Sequence, residues 1–129
     1  MMRAGASVID LAEDFDMLTI EGLKEIGADT DPGLGRCLNN EAFYLRLVGM
    51  AVSDENFGKL REAVERDDLD AAFESAHALK GVLANVSLTN VLEPVKEITE
   101  DLRARKEKDY SEVLNKIDEE LAKVKSLMD

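Results

Sequence analysis

Apolar residues recur at helical intervals through most of the chain, and no segment alternates with period two for long enough to suggest a half-buried strand. An all-α protein is therefore expected. In the last stripe, Tyr110, Leu114, Ile117, Leu121, Val124 and Met128 are separated by 4, 3, 4, 3 and 4 residues, the spacing of a bundle seam. Asp109, with Glu112 three residues later, gives an acidic start in the manner of a capping box, so a helix is predicted over about 109–128. A second stripe, Leu88, Val91, Leu92, Val95, Ile98 and Leu102, predicts a helix over about 89–105 that ends in the charged turn RARKEKD. Pro94 falls inside it. With Asn90 as cap, the proline sits in the first turn, where its missing N–H matters little; with Ser87 as cap, a local kink is expected.

Upstream, apolar positions from Phe43 to Val64 predict one long helix over about 40–66, capped by Asn39 or Asn40, with Ser53 and Asp54 as the place for a bend. The acidic run Asp67, Asp68 and Asp70 suits the positive end of a helix dipole and starts a further helix over about 67–86. Helices joined by such short connections read as antiparallel neighbours in an up-and-down four-helix bundle. The first 38 residues are less regular. Ser7 to Asp14 and Thr19 to Ile26 are short helical candidates, and Asp31, Pro32 and Gly33 mark a turn, so this part is expected to cap the bundle within the same domain.

A chain of 129 residues fits a single domain that folds without disulfides or metals. Its net charge of -12 argues against nucleic acid and against an anionic membrane surface as partners, which leaves another protein. No run approaches the 18 or so apolar residues of a membrane span, and the N-terminal stretch meets acid too early for a signal peptide, so a cytoplasmic location is expected. The bundle is expected to be a monomer. The single cysteine, Cys37, has no partner for a disulfide or a zinc site and reads as a half-buried apolar residue.

Chemistry concentrates around the single histidine, in the stretch AHALKGVLAN. At about 100° per residue, Leu69, Ala72, Ala76, Leu79, Leu83 and Val86 form the core stripe of the 67–86 helix, and His77 lies roughly 130° from its centre. The imidazole is thus expected to point outwards, with Phe73, Lys80, Gly81 and Ala84 one or two turns away on the same side. Gly81 in mid-helix costs about 1 kcal/mol relative to alanine, which calls for a packing or access reason. Together Gly81 and Ala84 clear one flank of the ring, and Lys80 places an ammonium within reach of an anion attached to it. Such an arrangement suits phosphoryl transfer through phosphohistidine, because a neutral imidazole is a good nucleophile near pH 7. Nothing in the chain resembles a Mg²⁺ cage, so the ion for in-line transfer has to come with the partner.

Other readings compete. Periodicity alone does not separate a nucleophile from an exposed histidine without chemistry, and a helical adaptor that binds a signalling partner with no covalent step fits the same pattern. Glu74 and His77 have the Glu-x-x-His spacing of metal-binding bundles, but that class needs two such motifs facing the bundle interior. No G-x-S-x-G turn supports a serine triad, and no glycine-rich loop or kinase motif supports an ATP site.

The stretch AHALKGVLANVSL, Ala76 to Leu88, resembles the signature of the histidine-containing phosphotransfer (HPt) family of two-component phosphorelays, at Ala76, His77, Leu79, Lys80, Gly81 and Asn85. GLGRCLNNEAFYLRLV, Gly33 to Val48, is similar to the segment leading into the first bundle helix of many bacterial members, and the likeness runs from about Asp29 to Leu127. The resemblance implies a phosphocarrier rather than a kinase, with receiver domains of response regulators or hybrid kinases as partners and no cofactor of its own. It implies His77 as phosphoacceptor, Lys80 as the phosphate-stabilising cation, Phe73, Glu74, Gly81 and Ala84 around the docking face, and Asn85 as support for the site. Ser87 stands where the family usually has glycine, and Val82 and Leu83 replace small residues; these departures are expected to alter packing or the turn more than the phosphate site.

Overall fold

The computed structural model describes residues 18–128, and the helix expected over Ser7 to Asp14 lies outside them. The described elements are all helices: α1 (Ile20–Glu25), α2 (Thr30–Arg36), α3 (Glu41–Val52), α4 (Asn56–Glu65), α5 (Leu69–Asn85), α6 (Thr89–Arg103) and α7 (Ser111–Ser126). Helix α5 packs between α4 and α6, α6 also packs on α7, and α7 meets α3. The core is the apolar stripe of each helix: Tyr44, Val48 and Val52 from α3, Leu60 from α4, Ala72, Ala76, Leu79 and Leu83 from α5, Val91, Val95, Ile98 and Leu102 from α6, and Ile117 and Val124 from α7.

The single helix expected over about 40–66 is two helices. Asp54 explains the break: its carboxylate accepts hydrogen bonds from the backbone N–H (2.8 Å) and the side-chain amide (3.0 Å) of Asn56, a local turn that competes with helix continuation. The Ser53 hydroxyl donates back to the Gly49 carbonyl at 3.1 Å, closing the end of α3. Of the two candidate caps, Asn40 is the one whose side chain accepts from Phe43 N–H, at 3.1 Å. Phe43 and Met50 are exposed rather than in the core.

Asp31, Pro32 and Gly33, expected to form a turn, lie instead in the first turn of α2. A proline is tolerated there because the first helical N–H groups have no intrahelical acceptor. Gly33 is required by close approach, since a Cβ on it would stand 2.5 Å from Tyr44 Cε1 and 3.0 Å from the Val86 carbonyl oxygen. Pro94 falls in the second turn of α6, whose cap position is Leu88, between the two candidates considered. Its ring removes the donor that would otherwise reach the Asn90 carbonyl. The last helix begins at Ser111, whose N–H is taken by the Asp109 carboxylate at 2.8 Å.

Helix ends are closed by a repeated device. After α5, Ser87 (φ 56°) turns left-handed, its N–H reaches the Ala84 carbonyl at 3.1 Å, and Leu88 N–H reaches the Leu83 carbonyl at 3.1 Å, a Schellman pair. Leu38 after α2, Asp67 after α4 and Arg105 after α6 do the same with φ between 52° and 59°. Glycine would adopt this conformation freely; other residues carry strain.

The N-terminal helices hold the far end of α5. The buried Tyr44 hydroxyl donates to the Val86 carbonyl at 2.7 Å. Arg36 Nη1 donates to the Ala84 carbonyl (3.2 Å), the Asn85 carbonyl (3.0 Å) and the Ser87 hydroxyl (3.1 Å). Asp29 N–H donates to the Ser87 carbonyl at 3.0 Å. Cys37, expected to be half-buried, is buried at the same end. Across the bundle, Glu120 of α7 is buried; burial alone would raise its pKa, but hydrogen bonds from Lys123, Asn90 and Lys116 outweigh that and hold the carboxyl at about 2.

Leu38→Gly is expected to raise stability by roughly 0.5–1 kcal/mol in urea denaturation, the relief of left-handed strain less the extra freedom of the unfolded glycine, because the leucine side chain is 90% exposed and has little packing to lose. Burial, followed by the charges of Cys37 and Asp29, pushes the Tyr44 phenol up from 10.0 to about 12. The folded chain therefore holds this proton more tightly than the unfolded one, and the resulting stability is complete below pH 10 and lost as pH rises through about 12. Tyr44→Phe is expected to cost about 1–2 kcal/mol at neutral pH and to flatten the alkaline limb of the stability profile.

Candidate functional site

Helix α5 runs without interruption because its start is capped and its interior is rich in alanine and leucine: the Asp68 carboxylate accepts the Ala71 N–H at 3.0 Å, and Asp70 adds acid to the first turn. Ala72, Ser75, Ala76, Leu79 and Leu83 face inwards. That rotation leaves His77, Gly81 and Ala84 exposed, in agreement with the helical wheel, and Lys80 half-buried; Asn85 is exposed as well.

One flank of His77 is built by α5 together with α6 and the turn after it. The imidazole stacks on Phe73, one turn earlier, with ring centroids 5.6 Å apart and planes inclined by 25°. The Arg103 and Arg105 guanidiniums stand over the Phe73 ring at 5.1 and 5.0 Å from its centroid. Arg105 is anchored by Asp70 (Nε to Oδ1, 2.7 Å) and by the Leu102 carbonyl (2.7 Å). Arg103 donates from Nε and Nη2 to the two oxygens of Glu100, at 3.2 and 3.3 Å. Glu100 in turn lies 3.7 Å from Lys80 Nζ. These hydrogen bonds from Arg103, with the charges of Arg103 and Lys80, outweigh the upward push of desolvation and hold the Glu100 carboxyl below its usual 4.5.

The opposite flank is open. A Cβ built on Gly81 meets nothing within 4 Å among the described residues. No packing partner among the described residues requires this glycine, as none requires Gly35 or Gly58, but this one lies one turn from His77. Beyond Gly81, Val82 and Asn85 line a shallow groove of about 260 Å³ with Leu47, Met50, Ala51 and Asp54 of the α3 side.

The predicted residues do not all meet at the ring. Phe73 stacks on His77, and Lys80 and Gly81 follow it by three and four residues on the same helix, but Glu74 faces a groove between α4 and α5 that Asn56, Lys59, Glu62 and Arg66 also line. Asn85 lies two turns past His77, about 12 Å along the axis, where its carbonyl is bound by Arg36. Among the described residues no group of three or more His, Cys, Asp or Glu side chains stands ready for a metal ion, so Glu74 and His77 have no company as ligands. Glu100, Arg103 and Arg105 were not picked out by the sequence pattern. They are polar residues on or after a helix with a clear core stripe, and which edge of that helix faces α5 depends on how the two pack.

The family model described as the Hpt domain matches residues 50–127, from the end of α3 through α7. No curated protein and no solved structure matches the chain.

Gly81→Ala is expected to stabilise the chain by about 1 kcal/mol in urea or thermal denaturation, since the added methyl enters open space and alanine favours the helix. A loss of stability would mean that the glycine serves packing instead.

Proposed function

Since the chain belongs to the Hpt domain family, whose members carry phosphoryl groups on histidine in two-component signalling, we propose that His77 is the phosphoacceptor and relays the group between aspartates of receiver domains. The observation that carries this reading is the open space beside Gly81, one turn from an exposed His77. A receiver's active-site rim can approach the ring there without displacing a side chain. We read α3 with α4, α5, α6 and α7 as the rods of an up-and-down bundle that presents this face to solvent.

In the loading step an imidazole nitrogen of His77 attacks the phosphorus of an aspartyl phosphate. The N–P bond forms, the P–O bond to the aspartate breaks, and the carboxylate leaves; the reverse step passes the group on. The receiver supplies Mg²⁺ for the charge on the transferring group. Lys80 supplies a cation from this chain, and Phe73, stacked on the imidazole, limits how the ring can turn. The partner is thus a receiver domain of a response regulator or hybrid kinase, with no nucleic acid or membrane involved. No helix among the described residues is long and apolar enough to cross a membrane, and we place the exchange in the cytoplasm.

Incubation with phosphorylated receiver domains is expected to leave acid-labile, base-stable phosphate on the chain, and none on His77→Gln. Lys80→Ala should shorten the phosphohistidine lifetime with the fold intact, and Gly81→Gln should block transfer while melting no lower than wild type. Wild type that gains no phosphate across a panel of receivers, or His77→Gln that gains as much, would leave a binding adaptor as the better reading.

A further inference from the structure

Lys80 has a second suitor. Its ammonium sits 3.7 Å from Glu100 Oε2, farther than a hydrogen bond, with the two side chains 36% and 58% exposed. Such a contact is a loose ion pair that a flexible lysine can leave. Glu100 is less free to follow. Arg103 grips both of its oxygens from the same helix, at 3.2 and 3.3 Å, and the Arg103 guanidinium is itself seated on Phe73, the ring that stacks on His77.

We infer that Glu100 is a positioning residue that acts through Lys80, holding the ammonium back from a phosphoryl group on His77 and so keeping that group easy to remove. This rests on the reading of His77 as the phosphoacceptor. A phosphoryl group brings close to two negative charges and strong acceptor oxygens to the ring. The ammonium of Lys80 then has two anions to choose between, one on its own helix and one on α6. Whatever share of its time it spends on Glu100 is lost to the phosphoryl oxygens, and the fixed carboxylate adds repulsion of its own. The arrangement favours a carrier, which must release its cargo, over a store, which must keep it. Because both partners are partly exposed, the effect is modest, on the order of 1.5- to 5-fold in lifetime.

The test uses the full chain loaded with phosphoramidate, which needs no partner protein: the N–P bond to His77 forms as the donor's P–N bond breaks and ammonia leaves. Phosphohistidine decay at neutral pH is then followed by ³¹P nuclear magnetic resonance. Glu100→Gln is expected to lengthen the lifetime by about 1.5- to 5-fold, an effect that shrinks in about 0.5 M salt. In a Lys80→Ala background the same substitution should change the lifetime far less. The inference is overturned if Glu100→Gln decays like wild type, or if its effect is undiminished without Lys80. Wild type that cannot be loaded on His77 overturns the phosphoacceptor reading and this inference together, whereas loaded wild type whose lifetime ignores Glu100 overturns this inference alone.

Discussion

The rotation of α5 about its own axis sets which side chains meet solvent, and it is held by burial along the helix and by hydrogen bonds at its end. Ala72, Ala76, Leu79 and Leu83 are wholly buried, and a turn of about 100° would bring leucines out and His77 in. Exposing a buried leucine costs roughly 1.5–3 kcal/mol, a large share of the stability of a small domain. At the C-terminal end the Tyr44 hydroxyl and the Arg36 guanidinium grip the Val86, Ala84 and Asn85 carbonyls, so the helix can neither slide nor unwind without losing these hydrogen bonds, of which the one from Tyr44 is buried. The exposed face is therefore free to serve chemistry. His77, Gly81 and Ala84 contribute little to the core and can be chosen for what approaches them.

The same end of α5 explains why Ser87 stands where the family usually has glycine. The position needs a left-handed residue, which serine occupies at φ 56°. Glycine would do so without strain, but its missing hydroxyl would leave Arg36 one acceptor short, since Ser87 Oγ takes a hydrogen bond from it at 3.1 Å. A departure that looked like a change at the helix end is thus part of the contact between α2 and α5. It leaves the surroundings of His77 untouched.

What could be read from the sequence were the features set by one helix alone. The outward face of α5 followed from the spacing of its leucines and alanines, and the inward stripes of α6 and α7 from theirs. The break between α3 and α4 was harder, because Phe43 to Val64 keeps an apolar rhythm while the decisive event is a side-chain turn by Asp54. Helix α2 was hidden by Asp31, Pro32 and Gly33, residues that mark turns and also suit a first helical turn, where Gly33 makes room for Tyr44. The pairing of Lys80 with Glu100 and the two guanidiniums over Phe73 were beyond reach, since they depend on how α5 and α6 are turned towards each other. Each of these cations has a carboxylate partner, Glu100 for Lys80 and Arg103 and Asp70 for Arg105, and the tightest of the three contacts is the one between Arg105 and Asp70.

The most direct measurement is the site of phosphorylation itself, by mass spectrometry of peptides prepared at neutral to alkaline pH from the intact chain after exposure to a phosphorylated receiver domain. A single phosphoryl group on His77, lost on brief acid treatment, is the predicted result. A group on any other residue, or none on His77, would contradict the assignment of this face as the site of transfer.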